Sequence, residues 1–154
     1  MVIGCKSSKN EPVPAYVLEL VGTYRSQSHD EFIGGTSQTE TTQIDIITSG
    51  RKANSVDITY LRVIKRYKGA TETPDLDQTW GPWVFKNVVV SDTGTVDHSE
   101  TQITNFGGRP GDPVETLLSI KGGVVGNTLK VNCGTDYPSK NLIHHTILWL
   151  DRVN

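Results

Sequence analysis

The chain has 154 residues, enough for one domain that buries about two thirds of the surface exposed by its unfolded form. Its formal net charge of -2 supplies no long-range field that would recruit nucleic acid or an anionic membrane. No stretch approaches the roughly 18 apolar residues that a membrane-spanning helix needs. The composition of 18 Thr, 16 Val and 11 Ile against 3 Ala and 1 Met favours strands over helices. We therefore predict an all-β chain.

The first residues carry a short motif in which aliphatic and small side chains precede a cysteine, Val2-Ile3-Gly4-Cys5. This motif resembles the lipobox of bacterial lipoproteins, in which the cysteine receives the lipid and becomes the first residue. The resemblance implies that Cys5 is a lipidation site. Residues 6–14 are polar and contain Pro, which is typical of a flexible tether. We therefore predict a tether at 1–14 and a β domain at 15–154.

The first third of the folded part alternates between strand and loop signals. Ala15–Arg25 alternates apolar with polar residues, which predicts a strand with its even-numbered face inward. Ser26–Glu40 is polar and includes Gly34-Gly35, so we expect a long loop, for which a lid over an opening is one role. Strands are predicted at Thr42–Thr48 and Ser55–Tyr67, joined as a hairpin. The apolar phase slips by one residue within the second of these strands, which indicates a β-bulge.

The middle of the chain predicts a loop and then a second hairpin. Lys68–Gln78 contains Gly, Pro and acidic residues, as loops do. Trp80-Gly81-Pro82-Trp83 leads into Val84–Val90, whose apolar residues fall on both parities and indicate a strand buried on both faces. Ser91–Gly94 has Asp and Gly where a tight turn needs them, and Thr95–Ile103 is the returning strand.

The run from Val114 to Ile120 fits two structures. The preceding Asp112-Pro113 carries helix-start signals, whereas alternating apolar residues within the run fit a strand. We predict a strand, with a helix as the alternative. Thr128–Cys133 and Leu142–Val153 complete the set, and the last strand is apolar on both parities.

Eight short strands with sequence neighbours side by side predict an antiparallel up-and-down barrel, with a β-sandwich as the alternative. Gly22-Thr23-Tyr24 on the first strand, together with Arg152 at the end of the last strand, resembles the lipocalin and calycin pattern. In that superfamily a Gly-x-Trp on strand one packs against an Arg near the end of the barrel. With Cys5 and the turn Gly126–Leu129, the chain also resembles the small calycin-like lipoproteins of Bacteroidota. The resemblance implies an eight-stranded calycin-like barrel rather than a particular activity.

Residue sets that would carry catalysis or metal binding are not found in the sequence. His144 and His145 are adjacent on a strand and should point to opposite faces, so the pair is not expected to hold one metal ion. No Ser lies on a Gly-flanked elbow, and the glycine-rich loops lack the Lys-Ser/Thr of a phosphate loop. Cys133 is expected to be a buried apolar residue rather than a partner for Cys5. We predict no cofactor, no metal and no enzymatic activity.

Large aromatic residues and one arginine are the predicted ligand-binding set. These residues are Tyr24, Tyr60, Trp80, Trp83 and Arg152. Trp80 and Trp83 stand at the predicted entrance of a strand, where the mouth of a barrel would lie, and aromatic rings there can line an apolar pocket or stack on sugars. A cluster of basic residues on the first hairpin is expected to protect strand ends from edge pairing, with recognition of an acidic glycan or phosphate as the alternative. The cluster comprises Arg51, Lys52, Arg62, Lys65, Arg66 and Lys68.

Together these patterns predict a non-catalytic lipoprotein domain of the cell envelope, periplasmic or surface-exposed, that binds a small apolar molecule or a glycan. Its contact with the membrane would be through the lipid anchor alone, and nucleic acid is not an expected partner. One alternative is a protein-interaction or inhibitor module that uses an outer sheet face around Leu148 and Leu150. Another is an enzyme, which would require a His and an acid to converge inside the barrel. The sequence leaves the oligomeric state open.

Overall fold

Alternation of inward and outward side chains builds eight long strands in the computed structural model, which describes residues 11–153. The elements in chain order are α1 (Ala15–Leu20), β1 (Gly22–Phe32), β2 (Thr36–Thr48), β3 (Ser55–Lys68), β4 (Leu76–Val89), β5 (Thr95–Asn105), a 3-10 turn (Phe106–Gly108), β6 (Pro113–Val125), β7 (Thr128–Tyr137), a second 3-10 turn (Pro138–Lys140) and β8 (Leu142–Arg152). Cys5 and most of the predicted tether lie outside the described residues, which include only positions 11–14 of the tether.

The strands form one antiparallel sheet in the order β4-β3-β2-β1-β8-β7-β6-β5, which curls into a nearly closed barrel. The predicted all-β, up-and-down, eight-stranded barrel is therefore confirmed, and the architecture is consistent with a calycin-like fold. Within the described chain, β1 and β8 share two register pairs, Tyr24 with Arg152 and Arg25 with Asp151. On the other side, β4 and β5 are joined by a bridge between Val90 and Val96.

These two junctions lie at the same end of the barrel, which we call the closed end. Helix α1 covers this end, and its Val17 and Leu20 side chains are 0% and 1% exposed. Burial of such side chains contributes about 1.5–3 kcal/mol each, so α1 acts as an apolar plug. The opposite end, where the β1–β2, β3–β4, β5–β6 and β7–β8 connections lie, is the mouth.

The interior changes character from one end to the other. Near the closed end the inward positions are apolar and fully buried, as at Ile46, Ile58, Phe85 and Leu150. Near the mouth the register places polar side chains at the inward positions. They are Ser26, Ser28, Gln38, Glu40, Thr42, Arg62, Gln78, Glu100, Gln102, Thr104, Thr116, Thr135, His144 and Thr146. The apolar core therefore fills one half of the barrel, and the other half is lined by polar groups.

The predicted first strand is wrong over its first six residues, which form α1. Val17 and Leu20, three residues apart, face the core, whereas Leu18 is 53% exposed, so the spacing is helical and not that of a strand. The predicted long loop and lid at Ser26–Glu40 is also wrong. This segment forms the half of β1 near the mouth, a tight turn and the half of β2 near the mouth. Its sequence resembles a loop because polar side chains occupy the inward positions there.

The predicted bulge within Ser55–Tyr67 is wrong in its placement. Strand β3 continues its alternation through Arg62, which is the inward residue, while Leu61 and Val63 point outward and are half-buried. The register shifts lie opposite Val56/Ile58 and Tyr60/Arg62, and in both places β4 contains the extra residue. The bulged strand is thus β4.

Strand β4 is longer than predicted and is buried on one face only. It begins at Leu76, inside the predicted loop, so Trp80 and Trp83 lie within the strand and not at its entrance. Val84 and Val89 are 36% and 53% exposed, which contradicts burial on both faces. The run Val114–Ile120 is a strand, as predicted, and the helix alternative is wrong.

Candidate functional site

A bulge in β4 brings two tryptophans to the same side of the sheet. Regular alternation would put Trp80 and Trp83, three residues apart, on opposite faces. The register pairs Trp83 with Tyr60 and Trp80 with Arg62, so the extra residue at Gly81-Pro82 turns both rings inward. A Cβ on Gly81, whose φ is +95°, would lie 2.3 Å from the Tyr60 carbonyl oxygen, so this close approach requires glycine.

Tyr60 and Trp83 form the floor between the apolar half and the polar half. Their rings are stacked with centroids 4.8 Å apart and planes inclined by 12°. Tyr60 is 3% exposed and Trp83 is 7% exposed. Burial raises the pKa of the Tyr60 hydroxyl well above its ordinary value, so this group stays protonated. The floor is an aromatic pair that closes the apolar core.

Arg62 lies above this floor and is held by Glu40 and Trp80. Its Nε donates a 2.8 Å hydrogen bond to Glu40 Oε1, and its guanidinium carbon lies 5.3 Å from the centre of the Trp80 ring. Burial alone would lower the pKa of Arg62, but the hydrogen bond and negative charge of Glu40, together with a smaller contribution from Tyr60, outweigh it and raise that pKa. A guanidinium has five N–H donors, and Glu40 uses one of them.

A small space, which we call the inner chamber, adjoins Arg62. It is lined by Tyr60, Arg62, Trp80, Trp83, Cys133, Thr135, His144 and Thr146. Its volume of about 10 Å³ corresponds to one water-sized group. Burial raises the pKa of the Cys133 thiol to about 12, so the thiol is protonated at neutral pH and is a poor nucleophile.

A larger space, which we call the mouth cavity, lies beyond the inner chamber and shares Trp80, Thr135 and His144 with it. It has a volume of about 210 Å³ and is also lined by Phe106, Gly107, Tyr137, Leu142 and Ile143. The Phe106 and Tyr137 rings meet edge to face with centroids 5.0 Å apart. Tyr137 is 2% exposed, and within residues 11–153 its buried hydroxyl has no hydrogen-bond partner.

The 3-10 turn Phe106–Gly108 folds over Trp80 at the rim of the mouth. The Gln78 side-chain amide donates a 3.0 Å hydrogen bond to the Gly107 carbonyl. A Cβ on Gly108 would lie 3.0 Å from both the Thr79 carbonyl oxygen and the Trp80 ring. The absence of a side chain at Gly108 therefore allows the turn to pack directly against Trp80. On the β4–β5 seam, Trp80 also lines a groove of about 150 Å³ with Gln102 and Thr104.

The five predicted ligand-binding residues fall into two groups. Tyr60, Trp80 and Trp83 come together at the inner chamber. Tyr24 and Arg152 lie at the closed end, where Arg152 donates hydrogen bonds to the Tyr24 hydroxyl and to the Val21 and Glu19 carbonyls. The Tyr24 hydroxyl in turn donates to the Leu20 carbonyl at 2.9 Å. This contact between the first-strand aromatic and the terminal arginine is the one that the calycin resemblance implied, and it holds α1 on the barrel.

An open groove of about 510 Å³ also lies at the closed end, between α1 and two hairpin turns. It is lined by Glu19, Leu20, Thr93, Gly94, Val124, Gly126, Asn127 and Arg152. This groove is larger than the mouth cavity. Its Arg152, however, already donates hydrogen bonds to the Tyr24 hydroxyl, to the Glu19 carbonyl in α1 and to the Val21 carbonyl just after α1. The mouth is therefore the better candidate site.

A histidine and an acid do converge on the inward face of β5. His98 Nε2 lies 2.8 Å from Glu100 Oε2, and the Gln102 amide donates to the other oxygen of Glu100. Gln102 also donates to the Val84 carbonyl across the β4–β5 seam. No hydroxyl or thiol among the described residues is hydrogen-bonded to the His98 ring, so this trio lacks a nucleophile. Its hydrogen bonds instead help to connect β5 with β4.

The basic cluster of the first hairpin is largely paired with acids. Arg62 pairs with Glu40, Lys65 with Asp77, and both Arg66 and Lys68 with Asp75. The hydrogen bond and charge of Arg66 lower the pKa of Asp75. Paired charges at strand ends fit the structural role predicted for the cluster. No cluster of three potential metal ligands occurs within residues 11–153.

The outer face of β8 differs from the expected apolar patch. Leu148 and Leu150 point inward and are 7% and 0% exposed. The exposed apolar residues are instead Ile143, Ile147 and Trp149, and the Lys130 ammonium lies 4.5 Å from the Trp149 ring centre. His144 lines the inner chamber, whereas His145 lies over Gly134 on the other face, which confirms that the adjacent histidines diverge.

Comparisons of the chain with family models, with curated proteins and with solved structures gave no match. Across the described residues, no helix has the length and apolar character needed to cross a membrane.

Sequence reasoning missed Phe106, Tyr137 and His144 as cavity-lining residues, and it placed Arg62 in a surface cluster. The sequence did contain a signal that Arg62 faces inward. Arg62 occupies the next position after Ile58 and Tyr60 in the same period-two series. The same period puts Thr135 and Tyr137 in line with the buried Cys133. Polar residues that continue an inward series mark a lumen that opens to solvent.

Proposed function

We propose that this chain is a non-catalytic binding domain of the cell envelope that holds a small apolar molecule or a glycan in the mouth of its barrel. One observation carries the proposal: Trp80 lines the inner chamber, the mouth cavity and the groove at the β4–β5 seam. A large aromatic side chain shared by three adjoining spaces, with a few polar groups around it, is the arrangement that small-molecule sites use.

The uneven filling of the barrel supports this location. The interior of the closed half is filled by α1 and by core side chains, so a ligand has no space inside the barrel there. The mouth half has polar inward positions and the mouth cavity of about 210 Å³. The ligand would therefore enter from the mouth and stop at the Tyr60–Trp83 floor.

Two features support a binding role over a catalytic one. The Cys133 thiol has a pKa of about 12, and the His98–Glu100 pair has no nucleophile beside it in the described chain. The protein-interaction alternative required an exposed patch around Leu148 and Leu150, and both are buried. The mouth is thus the better-supported site, while Ile147 and Trp149 are the outer-face residues that the alternative would have to use.

The envelope part of the proposal rests on the resemblance of Val2–Cys5 to a lipobox. The described chain starts at Glu11, just before α1, which covers the closed end. An anchor at Cys5 would therefore attach the domain to the membrane from the side of its closed end. Mass measurement of the N-terminal peptide from host membranes tests lipidation. The added mass of a lipid should be present in the parent protein and absent in Cys5→Ser.

The binding proposal is tested by native mass spectrometry of the full-length protein purified from its host. We expect a retained small molecule in the parent protein and in Trp149→Ala, whose indole lies on the outer face. Trp80→Ala should lose most of that compound while keeping the far-ultraviolet circular dichroism of a folded β protein. Retention by Trp80→Ala equal to that of Trp149→Ala would contradict a site at the mouth.

A further inference from the structure

We propose that the ligand of the mouth is a neutral saccharide, with a ring face against Trp80 and one hydroxyl group in the inner chamber. This inference rests on the proposed function, since it names the chemical class of the molecule that the mouth would bind.

Charge balance favours a neutral ligand. The guanidinium of Arg62 is already matched by the carboxylate of Glu40, and their side chains are only 15% and 24% exposed. An anionic ligand at Arg62 would bring a second negative charge beside Glu40 in a place where water screens poorly. A fatty acid or another carboxylate would thus meet repulsion as well as attraction. A neutral hydroxyl group can accept from the guanidinium without that repulsion.

Hydrogen-bonding groups around the site favour a ligand with several hydroxyls. Arg62, Thr135, His144 and Thr146 all line the inner chamber and can donate or accept hydrogen bonds, and two of them, the His144 ring and the Thr146 hydroxyl, are bonded to each other at 2.9 Å. Within the described chain, the buried Tyr137 hydroxyl at the mouth cavity has no partner. A hydrocarbon ligand would leave such groups unpaired, which is unfavourable.

The shapes of the two spaces fit a sugar ring with a protruding hydroxyl. The inner chamber of about 10 Å³ takes one oxygen-sized group, and the mouth cavity of about 210 Å³ takes the rest of a small ring. Trp80 and Phe106 supply aromatic surface there. Pyranose rings combine apolar C–H faces with hydroxyls around the rim, so they can use both kinds of contact at once.

The experiment is an NMR titration of the three tryptophan indole signals in the full-length, ¹⁵N-labelled protein. The probes are N-acetylglucosamine, the α and β anomers of methyl glucoside, methyl galactoside and methyl mannoside, and octanol as a neutral apolar molecule. We expect at least one saccharide to shift the Trp80 signal saturably and to leave the Trp149 signal in place. Thr135→Val keeps the side-chain shape and removes a hydroxyl that lines both spaces, so affinity should fall by about tenfold. Thr101→Val, on the outer face of β5, is the matched control and should bind like the parent.

The outcomes separate this inference from the proposed function. If no saccharide shifts the Trp80 signal but octanol does, the ligand class is wrong and binding at the mouth stands. If neither kind of probe shifts it, both the saccharide inference and the mouth site are contradicted. Saccharide binding that is equal in parent and Thr135→Val would overturn the inner-chamber contact. A saccharide that shifts only Trp149 would overturn the inference entirely.

Discussion

The guanidinium carbon of Arg152 lies 5.1 Å from the centre of the Tyr24 ring, and Arg152 donates a 2.6 Å hydrogen bond to the Tyr24 hydroxyl. This pair joins the last strand to the first strand at the closed end. Burial raises the pKa of Tyr24, an effect that Arg152 partly opposes. The hydroxyl therefore stays protonated and donates a hydrogen bond to the Leu20 carbonyl. The pair thus couples barrel closure to the attachment of α1.

The first prediction is that Arg152→Met destabilises the fold. The substitution removes donors to Tyr24 and to two carbonyl groups near α1, so we expect a loss of about 2–3 kcal/mol in the free energy of unfolding. Urea unfolding followed by tryptophan fluorescence measures this. Arg25→Met is the control, because Arg25 is exposed on the neighbouring strand and bonds to Gln43. It should stay within about 0.5 kcal/mol of the parent. Equal effects of the two substitutions would contradict a special role for Arg152.

The second prediction concerns the Arg62–Glu40 pair. Glu40→Gln leaves a partly buried guanidinium without its counter-charge, which should cost about 1–2 kcal/mol, less than for a fully buried pair. Arg62→Met should have a similar effect, because it leaves the Glu40 carboxylate without its counter-charge. The double variant should lose clearly less than the sum of the two single losses. Urea unfolding of all four proteins completes the cycle, and strictly additive losses would show that the pair is not coupled.

The third prediction is an alkaline loss of stability due to Cys133. Its folded pKa is about 12, whereas a thiol in an unfolded chain has a pKa of about 8.5. Between these values the folded protein binds more protons than the unfolded chain. The stabilisation is therefore complete below about pH 8.5 and decreases with rising pH by up to about 1.4 kcal/mol per pH unit.

Urea unfolding of a Cys5→Ser protein between about pH 8 and pH 9, where the tyrosines of the unfolded chain (pKa about 10) are still mostly protonated, isolates this slope. Cys133→Ala in the same background should flatten it, whatever its effect on absolute stability. The thiol should also resist a disulfide exchange reagent until the protein unfolds. Rapid labelling of native protein would mean that the thiol is accessible. A slope that Cys133→Ala leaves unchanged would mean that it does not come from Cys133.

The fourth prediction separates space from backbone conformation at the rim. Gly107 and Gly108 both have positive φ angles, +59° and +69°, but a Cβ would meet nothing within 4 Å at Gly107 and would crowd Trp80 at Gly108. Gly107→Ala should cost about 1 kcal/mol for its backbone conformation alone. Gly108→Ala should cost more and should shift the indole signal of Trp80. If Gly107→Ala shifted that signal equally, the packing of the turn on Trp80 would be wrong.

The strand count and the meander could be predicted because apolar alternation is clear wherever the interior is apolar. Strand β3 shows this best, since Val56, Ile58 and Tyr60 repeat at period two and all face the core. The turn at Ser91–Gly94 was also predictable, because it contains Asp92 and ends at Gly94, residue types that favour tight turns. Its Gly94 amide donates to the Ser91 carbonyl as the tight turn requires.

The mouth half could not be predicted in this way, because its inward positions are polar. Ser26, Ser28, Gln38 and Glu40 give β1 and β2 no apolar alternation there, so the sequence resembles a loop. The candidate site could be predicted only for Tyr60, Trp80 and Trp83. Tyr24 and Arg152 share their chemistry but lie at the other end, because strand direction and register, rather than residue type, decide which end a side chain occupies.

The most direct test of a ligand site at the mouth compares the three indole signals of the protein as purified from its host with those of the same protein after unfolding, dialysis and refolding. A retained ligand should make the Trp80 signal differ between the two samples, with a smaller change at Trp83 and none at Trp149. A difference confined to Trp149 would instead locate binding on the outer face of β8. Identical spectra, with no small molecule in the dialysate, would contradict a mouth that holds its ligand.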